Sequence, residues 1–168
     1  MVAVIDHTIC IKISGRADFT SSLDLKKLIS ELWERGYNHF IFDLGDCQTM
    51  DSTFLGVLSG IGLKFSNGSR VQVGAPLELL NPNSRIMETL ENLGVADLFS
   101  IKTCTEPVAN GFEPIAGDAS KSKLEVTRTC LEAHQTLMSI QPENVKKFKD
   151  VTQFLADDLK RLESGTRK

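Results

Sequence analysis

The spacing of apolar positions changes period several times along this chain. Val2–Ile5 and Thr8–Ser14 are short and rich in β-branched residues, and Ile9, Ile11 and Ile13 alternate with Cys10 and Lys12. A period of two predicts strands. Asp6-His7 between them is expected to form a tight hairpin turn without the usual glycine, and Gly15 to end the second strand. From Thr20 to Arg35 the period lengthens. Leu25, Leu28, Ile29, Leu32 and Trp33 recur at three and four residues, which predicts a helix stopped by Gly36. His39–Leu44 is nearly all apolar, like a parallel strand covered on both faces. Thr53–Phe65 predicts a second helix, with Phe54, Val57, Leu58, Ile61 and Phe65 on one stripe. Asn67-Gly68 reads as a turn and Val71–Ala75 as the next strand. A helix is expected over Asn83–Leu93, carrying Ile86, Leu90 and Leu93 on one side and closed by Gly94. Leu98–Ile101 reads as a last short strand.

Two strands followed by alternating helices and strands argue for an α/β layer fold with a largely parallel sheet. This pattern covers residues 1–102. Residues 103–123 hold Pro107, Gly111, Pro114 and Gly117 and read as a linker. Residues 124–164 then predict a helical hairpin. Val126, Cys130, Ala133, Leu137 and Ile140 share one face of Leu124–Ile140. Pro142 suits the first turn of a second helix, where its missing N–H costs little. Val145, Phe148, Thr152, Leu155, Leu159 and Leu162 form a heptad-like seam there. Two uses of that seam stay open: packing on the chain's own domain, or a homodimer or partner surface.

Composition narrows the function classes. The 168 residues are 41% hydrophobic, enough for a globular core, and the net charge is −3. Lys and Arg do not cluster, which argues against a nucleic-acid footprint. No apolar run approaches the ~20 residues of a membrane span, and MVAVIDHTIC does not resemble a signal peptide. A soluble, cytoplasmic protein is expected. Cys10, Cys47, Cys104 and Cys130 form no CxxC pair and read as small buried hydrophobes. His7, His39 and His134 are scattered, so each is expected to be a core or surface residue rather than a metal ligand. Neither a cofactor nor a metal is implied.

One corner carries candidate chemistry. In TMDSTFLGVL, Asp51, Ser52 and Thr53 stand where an apolar helix begins. Asp51 or Ser52 can cap that helix by accepting from its free N–H groups. The corner also follows a parallel strand, at the carboxyl end where α/β sheets place their sites. A helix start tolerates added phosphate, because its unpaired donors and dipole favour negative charge. Gly56 and Gly60 lie four apart inside the helix, which suits either a close backbone approach or packing against the sheet.

FDLGDCQTMDSTFLGVL resembles the signature of STAS domains, the family of bacterial anti-sigma factor antagonists and of sulfate-transporter cytoplasmic domains. There, a strand leads to a motif close to Asp-Ser-Ser-Gly-Leu-Gly that opens a helix. ISGRADFTSS upstream, and SRVQVGAP and NSRIMETLENLGVADLF downstream, also resemble the family, over roughly residues 2–102. The resemblance implies that Ser52 is the phosphorylated serine, with Thr53 at the second hydroxyl position. Asp18 and Asp51 match the family's acidic positions, and Leu55 and Gly56 the next helix positions. Asp18, Asp51, Phe54, Leu55 and Gly56 are thereby candidates for the partner-binding face. The implied partners are an anti-sigma factor or serine kinase, which supplies ATP and magnesium, and a phosphatase that restores the unmodified form. The chain departs from the pattern at Phe54, where the family usually has Gly. A ring there is expected to cover the serine or reshape the docking face.

Physically such a switch needs no change of fold. Phosphoserine carries about −1.5 to −2 charge. Burying it against a flat partner would cost on the order of several kcal/mol. Three rivals remain. A receiver domain would use Asp6, Asp43 and Lys102, but needs a helix directly after its first strand, where Thr8–Ser14 reads as a strand. An enzyme is not expected, since the chain has no GxSxG, Walker loop or GxGxxG, and Ser52 has no obvious histidine partner. A scaffold or sensor that binds partners without phosphorylation is the serious alternative.

Overall fold

A computed structural model describes residues 1–65, 77–107, 109–115, 117 and 120–165. The chain opens with an antiparallel hairpin of β1 (Val2–Ile5) and β2 (Thr8–Ala17), with Val2 opposite Ile11 and Ile5 opposite Thr8. Asp6 takes φ 52°, so an aspartate supplies the left-handed residue that glycine would usually provide in this turn. Gly15 does not end β2 as expected. With φ 73° it sits where the register against the neighbouring strand shifts, and the strand continues to Ala17.

Helix α1 (Phe19–Glu34) follows, then β3 (His39–Met50), α2 (Ser52–Phe65), β4 (Leu77–Leu80) and α3 (Ser84–Asn92). A short 3-10 turn, Ala96–Leu98, leads into β5 (Ser100–Lys102). The last strand therefore begins later than Leu98, because that residue closes the turn. The expected turn at Asn67-Gly68 and strand at Val71–Ala75 lie outside the described residues. The sheet order is β1-β2-β3-β4-β5, antiparallel at the first pair and parallel at the other three.

The helices stack on one face of this sheet. Ile9, Ile11, Phe40, Phe42, Leu44, Leu77 and Leu79 meet Leu25, Ile29, Leu55, Leu58, Ile86 and Leu90 in a single core. The opposite face carries a much smaller cluster, Ala3, Cys10 and Ala109 with Ile41 and Phe112 against it. β3 is thus covered on both faces as its sequence predicts, heavily on one and thinly on the other. The second cover comes from the connection after β5, which also hydrogen-bonds the sheet edge through Glu113 and Val2, 2.8 Å in both directions.

Two helices end the chain, α4 (Lys123–Ile140) and α5 (Glu143–Gly165). Ser122 and Glu125 form a capping box that starts α4. α4 packs against α2, and α5 packs against α4. Leu137 and Ile140 enter the main core, with Phe148 packed beside it. Buried Asn144 donates to the carbonyls of Leu93 and Leu137, both at 2.9 Å, locking the α4–α5 corner onto the end of α3. Among the described residues, no helix is long and apolar enough to cross a membrane.

Candidate functional site

The length of β3 creates the corner. The strand does not stop at Leu44 but runs to Met50, and its pairing with β2 ends at Ala17 opposite Met50. The next residues on the two strands therefore start two helices side by side. Asp18 is the N-cap of α1, accepting from the amides of Thr20 and Ser21, both at 3.1 Å. Asp51 serves both helices. Its Oδ1 accepts from the Phe54 amide at 2.8 Å, inside α2, and its Oδ2 from the Phe19 amide at 2.9 Å, at the start of α1. The backbone closes the same link, as Asp51 N–H donates to the Ala17 carbonyl at 2.9 Å. Of the two capping candidates, Asp51 is the one that caps.

Capping by Asp51 leaves the Ser52 hydroxyl available, and a residue far away in sequence takes it. Ser52 Oγ lies 3.0 Å from Nε2 of His134, on α4. The opposite ring nitrogen, Nδ1, lies 2.8 Å from the Cys130 carbonyl. A carbonyl only accepts, so Nδ1 carries the proton, and in the neutral ring Nε2 accepts from Ser52. The ring also leans on Phe148 of α5, centroids 4.9 Å apart. His134 is thus a buried histidine, one of the two places expected for it, and it supplies the partner that Ser52 was expected to lack. Sequence offered no signal for it, since the two partners are 82 positions apart.

The other site candidates divide by burial. Thr53 is 6% exposed and its hydroxyl donates to the Cys130 sulfur at 3.9 Å. Phe54 and Leu55 are buried in the main core, so the Phe54 ring points inward rather than over the serine. Gly56 faces α4. A Cβ there would stand 2.7 Å from the Ala133 carbonyl carbon and 2.8 Å from the Ala133 Cβ, so only glycine permits this approach. Gly60 continues the contact towards Thr136. The two glycines thus serve a helix–helix approach and not the sheet. The face presented by α4 is Cys130, Ala133, His134 and Leu137, one stripe at helical spacing. At the outer edge stand Asp18 and Phe19, the latter 43% exposed.

Electrostatics add two points. The hydrogen bond from the Thr20 hydroxyl, helped by those from the Ser21 amide and hydroxyl and the Thr20 amide, holds the Asp18 carboxyl below its ordinary pKa against the opposing effect of burial. Burial pushes the Cys130 thiol up, as it does for Cys10 and Cys47; of the four cysteines expected to be buried, Cys10 and Cys47 are, Cys130 is half-buried and Cys104 is exposed. The receiver-like acids and lysine do not converge on a pocket. Asp6 is the hairpin turn, Asp43 accepts from the Gly45 amide at 3.0 Å, and Lys102 pairs with Glu78 at 2.8 Å. Among the described residues no group of three or more His, Cys, Asp or Glu is arranged to hold a metal.

This fold, with its hydroxyl-bearing corner at the start of α2, is that of a STAS domain. A family model of the STAS domain matches residues 1–107, and the chain belongs to that family. Among solved structures, the chain is similar to the unphosphorylated form of the anti-sigma factor antagonist SpoIIAA. The TM-score is 0.53 at 19% identity, over 63% of this chain and 88% of that one. It is similarly related to a candidate anti-sigma factor antagonist from Thermotoga maritima, with a TM-score of 0.52 at 20% identity, over 62% of this chain and 86% of that one. No curated protein matches the chain.

Proposed function

We propose that the chain is a phosphorylation-controlled protein–protein switch of the anti-sigma factor antagonist kind, acting in the cytoplasm in bacterial signalling that regulates transcription. Ser52 is the acceptor. The observation that carries this reading is its place, first in α2, directly after a parallel strand, with Asp51 rather than Ser52 capping the helix. Relieved of capping, the Ser52 hydroxyl is held by the His134 side chain instead, which a kinase would displace. Thr53 is the weaker acceptor because its hydroxyl is buried against α4. A partner serine kinase brings ATP and magnesium, a phosphatase reverses the step, and the domain is the substrate rather than an enzyme. Nucleic acid and membrane have no part in it. Phe54, Leu55 and Gly56 are buried and act by shaping the corner, so the contact surface falls to Asp18 and exposed Phe19.

A second reading has one observation in its favour. The Ser52 hydroxyl is already engaged by His134, which suits a scaffold that binds partners without modification. Mass spectrometry of the protein from its native host separates the two. Phosphate on Ser52 supports the switch. If Ser52→Glu and Ser52→Ala capture every partner equally, the scaffold reading stands.

A further inference from the structure

The face that carries Ser52 already has an occupant. α4 lies along α2, and its contact is tight: Gly56 touches the Ala133 backbone, Thr53 meets Cys130, and Ser52 bonds His134. At Gly56 the fit leaves no room to grow, while Ser52 at the helix start is half-buried. One methyl group at Gly56 already overlaps α4, and a phosphoryl group at Ser52, one turn away, is several times larger. Chemistry opposes it as well. The Nδ1–H of His134 is committed to the Cys130 carbonyl, so the nitrogen facing Ser52 offers a lone pair. Phosphate oxygens are acceptors, and an acceptor facing an acceptor repels.

The contact also has a weak end and a strong end. The first part of α4 is tied to α1 by ion pairs, Lys26 with Glu132 at 2.6 Å and Lys27 with Glu125 at 3.8 Å, and to α5 by Arg128 with Glu163 at 2.9 Å. Their side chains are about half exposed, and such surface pairs hold little. Past His134 the helix is anchored, by fully buried Leu137, by Ile140 and by Asn144. Thr127, Thr129 and Leu131 are also buried in the first part of α4, and Lys121 holds Asp24 at 2.6 Å just before the helix. Loss of the α2 contact therefore loosens the first part of α4 against these remaining holds, while the corner keeps its place.

We propose that the first partner of the Ser52 face is the chain's own α4, which serves as a cis-acting cover that a phosphate on Ser52 lifts. This rests on the reading of Ser52 as a phosphate acceptor. Covered and phosphorylated states exclude one another. By reciprocity, whatever lifts α4 exposes Ser52 to a kinase, and phosphate on Ser52 exposes the α2 face to an outside partner.

The test uses the full chain and no kinase. Phosphoserine is incorporated at position 52 during synthesis, and amide hydrogen exchange is followed peptide by peptide against the unmodified chain. Exchange across Glu125–His134 is expected to rise by about tenfold or more, with the β2 and β3 amides unchanged. Gly56→Ala is the second arm. It pushes α4 away by volume alone, favours the α2 helix itself, and is expected to give the same local rise. Unchanged or slowed exchange in the phosphoserine chain overturns the proposal, and slowed exchange would mean that a protonated His134 pairs with the phosphate. A rise with Gly56→Ala but none with phosphoserine also overturns it, because the cover would then be blind to phosphate. These outcomes do not depend on the host. Ser52 found unmodified in the host removes the acceptor reading while leaving the measured opening intact.

Discussion

Asp51 spends its two carboxylate oxygens on two different helices. One bond satisfies an amide inside α2 and the other the first amide of α1. Loss of a single capping side chain costs about 0.5–2 kcal/mol, and Asp51→Ala removes two such bonds. A loss at or above the top of that range is expected, measured by denaturant unfolding, and a value near zero would show that water replaces the caps. Asp18 makes a pH-dependent contribution. Its folded pKa is lowered, so its stabilisation is complete above the ordinary carboxylate value of about 4 and is lost as pH falls through the folded value. Asn at this position still caps but does not titrate. The stability gap between wild type and Asp18→Asn is expected to be constant near neutral pH and to change below about pH 4, which unfolding curves across that range would reveal. A constant gap throughout would count against the titration.

At the scale of elements, the informative helix is α2. Its predicted stripe implied one buried side, yet Thr53 to Ser59 are all buried. A helix apolar all round is covered on more than one side, and the second cover is α4. The sequence FLGVLSGIGL carried that signal, in the continuity of its apolar and small residues. What it did not carry was which element would supply the cover. α4 is anchored through Leu137, which is fully buried in the main core. Leu137→Ala is expected to destabilise the chain by about 2–5 kcal/mol, read from the unfolding midpoint. A much smaller cost would mean that α4 rests on the domain without entering its core.

For the whole molecule, the question left open by the heptad-like seam is which partner it faces. Phe148 packs beside the core and Thr152 is buried, its hydroxyl reaching the Met138 sulfur on α4 at 3.8 Å. Two of the six seam residues are thus consumed inside the chain, and Val145 at its start is 40% exposed. Light scattering of the full chain is expected to give the monomer mass of 18.5 kDa. A dimer that persists in the full chain and disappears on deleting residues 104–168 would return the tail to the role of an oligomer seam.

Most of the order of elements was legible because it rests on short-range physics, although β4 at Leu77–Leu80 falls in residues that the pattern left unassigned. Alternation of period two and recurrence at three and four reflect the geometry of strand and helix, and glycines such as Gly36 and Gly94 mark the helix ends. The same locality placed Asp51, Ser52 and Thr53 at the start of α2. The extra length of β3 was not legible, because past Leu44 the apolar run stops and the strand is carried on by pairing with β2, Asp46 opposite Ser14 and Cys47 opposite Gly15. The bond between Ser52 and His134 was beyond local reading altogether. It depends on Gly56 allowing Ala133 close enough to bring the imidazole to the hydroxyl, and that contact exists only once both helices have packed. Sequence determined that a serine stands at a helix start able to host a phosphate. Tertiary structure decided that the chain's own helix already lies over it.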